Sequence, residues 1–163
     1  MYHFDWIARH AERTPHKLAL VDAHTGRQMT YAEFNARANR LAHFFVHTLH
    51  LQKGDRVSIL AQNSADYYEV LWGCGKMGAI LNTLNWRLTA PELEYILKDS
   101  APRVLFYEPE FAGVVDQLRP LLGVDLLRLS LRQYLAVDLR FTDVDRELRQ
   151  ACAFRHRKRV DCV

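Results

Sequence analysis

The chain has 163 residues, 49% of them hydrophobic and 25% charged, a composition that fits one globular domain with a real core and excludes a disordered or fibrous chain. Its net charge of +3 is unevenly placed: residues 1–123 hold 13 basic and 13 acidic side chains, whereas residues 124–163 hold 9 and 6. The longer part therefore has no electrostatic pull toward nucleic acid or anionic lipid.

Three cysteines, Cys74, Cys152 and Cys162, form no C-x-x-C pair, which argues against a disulfide framework or a zinc site and fits a reducing compartment. No apolar run approaches the roughly 18 residues of a membrane span, and the amino terminus lacks the apolar core of a signal peptide. A soluble cytoplasmic protein is expected.

Phe4, Ile7 and Ala8 predict one side of a short helix, with Asp5 at its positive end and Thr14-Pro15 as its stop. Leu18 to Asp22 reads as a strand, and the turn His24-Thr25-Gly26-Arg27 returns the chain through Gln28 and Met29 as a hairpin. Thr30-Tyr31-Ala32-Glu33 is a capping box. The helix behind it puts Phe34, Ala38, Leu41, Ala42 and Phe45 on one face, with Asn35, Arg37 and Arg40 turned mostly outward.

The central stretch, Gly54 to Leu88, reads as strand, helix, strand. Arg56 to Ala61 is a buried strand, Ser64 caps the following helix, and Gly78 closes it in a left-handed conformation. Tyr67, Val70, Leu71, Cys74 and Met77 are the expected buried face. With Ala79 to Leu84 as the next strand, the unit is a right-handed crossover and the sheet is parallel. Thr89-Ala90-Pro91-Glu92 is a second capping box, ahead of a helix buried through Leu93, Ile96 and Leu97 and ended by Ser100-Ala101-Pro102. Arg103 to Tyr107 is a further strand, and Glu108-Pro109 opens a helix with Phe111, Val114, Val115 and Leu118 on one side, ending near Pro120.

The order GDRVSIL, helix, KMGAILNTLNWRLTAPELEYILKDS resembles the amino-terminal subdomain of AMP-forming acyl-CoA synthetases, within the adenylate-forming ligase superfamily. The resemblance covers about residues 4–122. It implies an α/β fold, a largely parallel sheet flanked by helices that forms the incomplete first half of the synthetase's large amino-terminal domain. It also implies the chemistry of a fatty- or carboxylic-acid:CoA ligase that uses ATP, Mg²⁺ and CoA. The family's phosphate loop, metal-positioning acid and catalytic lysine lie downstream of the matched region. No catalytic, cofactor-binding or metal-binding residue is therefore expected here, and the chain alone is expected to be inactive. The amino-terminal subdomain is expected over 1–123. Residues 124–163 contain no glycine or proline and 8 arginines to 1 lysine, and are read as either a divergent extension or an out-of-frame or truncated end. Within this tail, Val124 to Leu131 reads as a further strand of the parent sheet, Thr142-Asp143-Val144-Asp145 as the cap of a short helix, and Arg155 to Arg159 as a solvated basic terminus.

Residues that could carry chemistry have bland readings beside them. Gly73-Cys74-Gly75-Lys76-Met77-Gly78 sits at a helix carboxyl end, where a phosphate meets carbonyl oxygens. Gly73 and Gly75 are expected to admit close helix–sheet contact, and Cys74 to be a small buried apolar residue. His43 and His47 have ligand-like spacing but no acid in register, so a half-exposed helix edge is expected, with His50 one turn on. Asp66, Tyr67, Tyr68 and Glu69 read as a solvated helix start. Asn82, Asn85, Trp86 and Arg87 leave the carboxyl end of a parallel strand, where open α/β sheets place ligands. The favoured reading is that Asn85 and Arg87 fix the connector while Trp86 packs. Self-association, or pairing with a synthetase carboxyl half, is expected of the exposed sheet edge. No nucleic acid partner and no membrane span are expected.

Overall fold

The structure, a computed structural model, describes residues 5–122 and 127–131, all within one compact unit, Met1–Leu131. Helix α1 (Trp6–Arg13) is followed by strands β1 (Leu18–Val21) and β2 (Gln28–Thr30), then α2 (Tyr31–His47) and β3 (Arg56–Leu60). Next come α3 (Ala65–Met77), β4 (Ile80–Leu84), α4 (Ala90–Ser100), β5 (Val104–Tyr107), a 3-10 turn at Pro109–Phe111, α5 (Ala112–Leu118) and β6 (Leu127–Ser130). β1 and β2 form an antiparallel hairpin. The other four strands form one sheet in the order β4-β3-β5-β6, parallel at every pairing. The α/β fold and the parallel sheet anticipated from the sequence are both present, and β6 lies within the stretch read as a strand beyond Gly123.

The boundaries form where local chemistry places them. The Asp5 carboxylate accepts from the Ala8 amide, Thr30 and Glu33 exchange both bonds of a capping box, and the Ser64 hydroxyl accepts from the Tyr67 amide. Such caps contribute about 1 kcal/mol each. At the second box the Glu92 carboxylate accepts from the Thr89 amide and hydroxyl at 2.8 and 2.7 Å. Gly78 ends α3 at φ 82°, a conformation that costs a side-chain-bearing residue.

Alternation along the strands decides which helices cover which face. On one face Leu60, Leu84 and Leu105 pack with Leu93 and Leu97 of α4 and with Val115 and Leu118 of α5. On the other, Phe106 meets Phe45 of α2 at a ring separation of 5.7 Å, and α2 packs on α3. Ile7, Met29, Phe34 and Ala65 form a smaller core under the hairpin.

Three expectations need correction. The buried face of α3 is Ala65, Glu69, Val70, Gly73 and Cys74, rotated from the expected one, and Leu71 is exposed. The rotation arises because α2 covers α3 from the side: a Cβ on Gly73 would lie 2.9 Å from Leu41 Cδ2. Gly73 therefore admits a helix–helix contact rather than a helix–sheet one, and Gly75 faces open space. Asn35 and Arg37 do not turn outward but reach α3: the Asn35 Oδ1 accepts from Lys76, and Arg37 pairs with Glu69.

Candidate functional site

Right-handed crossovers that run in opposite directions across a sheet put their helices on opposite faces. The chain leaves β3 for α3 on one face and leaves β5 for α5 on the other. The carboxyl ends of these neighbouring strands thus frame the switch point at which open α/β sheets hold ligands. Gln62 and Ser64 follow β3; Glu108 and Glu110 follow β5.

A brace fills that position. The Gln62 amide donates to Glu108 Oε2 at 2.8 Å, the Gln62 side-chain amide donates to Glu110 Oε1 at 2.7 Å, and the Glu108 amide donates to the Leu60 carbonyl. Desolvation raises the Glu108 carboxyl above the ordinary carboxylate range, with the negative charges of Glu110 and Asp66 pushing the same way and the Gln62 amide opposing them. Glu108 and Glu110 thus bring two carboxyl groups together at this edge, while Asp66 is paired with Arg27.

The connector after β4 lies on the same edge. The Asn85 side chain accepts from the Arg87 amide at 3.0 Å, and the Leu88 amide donates to the Asn85 carbonyl, so the connector is a closed turn. Trp86 packs against the Leu60–Leu118 core, 6.2 Å from the Phe111 ring. The Arg87 guanidinium stacks 4.0 Å above the Trp86 ring. The packed Trp86 and the hydrogen-bonding Asn85 match the expected reading; the Arg87 contribution is made by its backbone. Asn82 does not join this group. It sits inside β4, where its amide nitrogen donates to the hydroxyls of Ser58 and Ser100 at 3.1 and 2.9 Å.

A second polar cluster went unread in the sequence. Glu69 is buried at 1% exposure, not solvated, and one carboxylate oxygen accepts from both Arg27 and Arg37. Arg27 also pairs with Asp66 at 2.7 Å. The Asp22 carboxylate accepts the His24 and Thr25 amides in its own turn and the Ala65 amide at the start of α3. The Ala65 bond, with the Thr25 and His24 amides, lowers Asp22 to about 2. These charges lock the hairpin to α3. Their partners lie some forty residues apart, beyond the reach of local spacing.

Cys74 is buried, and burial pushes its thiol up to about 12, where it is neither a nucleophile nor a ligand. The His43 and His47 rings stand 4.0 Å apart on the outer side of α2, and His50 is exposed at φ 53°. Among the described residues no group of three or more His, Cys, Asp or Glu is placed to hold a metal, and no helix is long and apolar enough to cross a membrane. The Thr142–Asp145 cap and the Arg155–Arg159 cluster lie outside the described residues.

The comparisons agree with the fold. The family model described as "AMP-binding enzyme" matches residues 7–155. The chain is 44% identical over 111 residues to the fatty acid–[acyl-carrier-protein] ligase ScoC of Streptomyces coeruleorubidus, covering 68% of this chain and 20% of that protein. It is 39% identical over 120 residues to the long-chain-fatty-acid–CoA ligase FadD13 of Mycobacterium tuberculosis, covering 73% and 24%. Among solved structures, the N-terminal domain of FACL13 from Mycobacterium tuberculosis superposes with a TM-score of 0.70 at 36% identity, over 78% of this chain and 34% of that one. The chain thus spans only a fifth to a quarter of the length of these curated relatives. With the parallel sheet, the switch point and a family match over most of its length, the chain belongs to the AMP-binding enzyme family and corresponds to the amino-terminal part of acyl-CoA synthetases.

Proposed function

We propose that this chain is scaffold for an AMP-forming acid–thiol ligase, an enzyme that joins a fatty or other carboxylic acid to CoA at the expense of ATP. ATP, Mg²⁺ and CoA are then ligands of the larger assembly, and the chain holds none of them by itself. One observation carries the reading: the sequence contains no Ser/Thr/Gly-rich phosphate loop, and the polar side chains at the edge where the fold places ligands, Gln62, Glu108 and Glu110, bond to one another. The isolated 163-residue protein is expected to release no pyrophosphate with ATP, Mg²⁺ and a panel of carboxylic acids. Acid-dependent release above a no-enzyme control overturns the proposal.

A second reading gives the chain a partner: it pairs with itself or with a separately encoded carboxyl half, as a non-catalytic module or half of a split synthetase. Exposed apolar side chains support it, with Leu18 and Val21 on the hairpin and Ile80 on the edge strand β4. Sedimentation of the purified chain is the check, and a monomer at all concentrations with cooperative unfolding contradicts it. The reading keeps residues 1–123 as the subdomain and residues 124–163 as a divergent tail, in a reducing cytoplasmic setting. The family match to residue 155 supports an in-frame extension, and the reading frames of the underlying gene test it.

A further inference from the structure

We propose that His43 and His47 form a two-donor site for a divalent transition-metal ion of the zinc type on the outer side of α2. The two imidazoles are spaced i, i+4 and so share one face of the helix, with ring centroids 4.0 Å apart. Both residues are exposed, so an ion reaches them without opening the fold. Zinc binds an imidazole nitrogen at about 2.0–2.1 Å, which puts two nitrogens on one tetrahedral ion about 3.3 Å apart. Rings this close reach that spacing by turning about their own side-chain bonds, a motion open to exposed side chains. The site is independent of the ligase reading.

The backbone beneath the pair is held in place. The same turns of α2 bury Leu41 and Phe45 completely, and Phe45 packs on Phe106 of the sheet, so folding sets the spacing of the donors before any ion arrives. His47 lies in the last turn of the helix, where the negative end of the helix dipole favours a cation. Arg40, exposed one turn before His43, opposes the ion and limits its affinity. The acid missing from this stretch acts in two-histidine hydrolases as the general base and not as a ligand. Its absence removes metal-assisted hydrolysis and leaves binding. Among the described residues no third donor completes a cluster with the pair, so water fills the remaining positions of the ion. Imidazole suits zinc, copper and nickel, whereas magnesium demands oxygen ligands.

The test is a titration of the ¹⁵N-labelled 163-residue protein with zinc chloride at neutral pH, read at the ring resonances of His43 and His47, which are assigned by their loss in His43→Asn and His47→Asn. Reading at the rings separates this site from other zinc donors in the chain, such as the thiols of Cys152 and Cys162. The two rings are expected to shift together with one midpoint, ahead of the exposed His24 ring, and magnesium chloride to move neither. Either single variant raises the midpoint at the remaining ring by about tenfold, through loss of the second donor of a chelate. Combining His47→Asn with Thr48→His does not restore it, because residues spaced i, i+5 leave the shared face. Circular dichroism confirms that each variant is folded. Rings that titrate at separate midpoints, or no sooner than His24, overturn the proposal, as does an unchanged midpoint in either single variant.

Discussion

On the α4–α5 side of the sheet, Leu60, Leu84, Leu93, Leu97, Leu105, Val115 and Leu118 make a dry layer with hardly a charge in it. At the hairpin end, by contrast, α1, α2 and α3 are tied by Arg27, Arg37, Glu69, Asp22 and Lys76, with Lys76 bonded to both Asp5 and Asn35 at 2.8 Å. The first region gains from removing area from water, which needs no partner at a fixed angle. The second fixes orientation: ion pairs and helix caps hold the hairpin against the start of α3 in a single arrangement, although a buried carboxylate there adds little net stability. One side of the molecule supplies cohesion and the other supplies geometry.

The comparison breaks most severely in the dry layer. Leu105→Ala leaves a cavity under α4 and α5 and costs about 2–5 kcal/mol, measured by urea unfolding, with the same loss at low and high salt. Glu69→Ala is the matching lesion at the hairpin end. It removes the acceptor that Arg27 and Arg37 share, and these arginines are each about 30% exposed while Arg27 keeps Asp66, so the penalty is discounted below the fully buried case to about 2 kcal/mol, and added salt reduces it. Equal salt dependence of the two variants would erase the distinction between the regions.

Smaller changes separate the two glycines of α3. Gly73→Ala drives a methyl group toward Leu41 at 2.9 Å, and overpacking outweighs the gain in helicity, for a net loss of about 1 kcal/mol. Gly75→Ala meets nothing within 4 Å and stabilises by about 0.5–1 kcal/mol. A stabilising Gly73→Ala would show that α2 and α3 are not in close contact.

The smallest effect is a pH dependence at the hairpin. Asp22 is lowered from 3.8 to about 2 by amides that bind its ionised form. The unfolded carboxyl takes up its proton first, so the contribution of Asp22 is complete above pH 3.8 and fades as pH falls toward 2. Thermal unfolding followed from pH 5 to pH 2 should show Asp22→Asn converging on the parent, after trailing it by several °C at pH 5. A constant gap across that range would remove Asp22 from the lock.

What was legible in the sequence follows the range of the forces involved. Ser64, Thr30 with Glu33 and Gly78 act within four residues of themselves, and each is where its local chemistry puts it. The parallel crossover followed from strand, helix and strand in close succession. Glu69 was misread because its charge is satisfied by Arg27 and Arg37, 42 and 32 residues away, and from spacing alone a glutamate in the first turns of a helix looks solvated. Gly73 was assigned to the sheet because its neighbour in space, Leu41, belongs to another helix. At the candidate site the β4 connector was singled out, yet the Gln62–Glu108 brace was not, since it spans 46 residues.

The central claim is that these residues carry the scaffold of an acid–thiol ligase without its phosphate chemistry. Pyrophosphate release by the purified 163-residue protein, with ATP, Mg²⁺ and fatty acids of several chain lengths, tests it most directly. The account predicts a rate indistinguishable from the no-enzyme control with every acid. Turnover that depends on the carboxylic acid, and survives repurification, would contradict it.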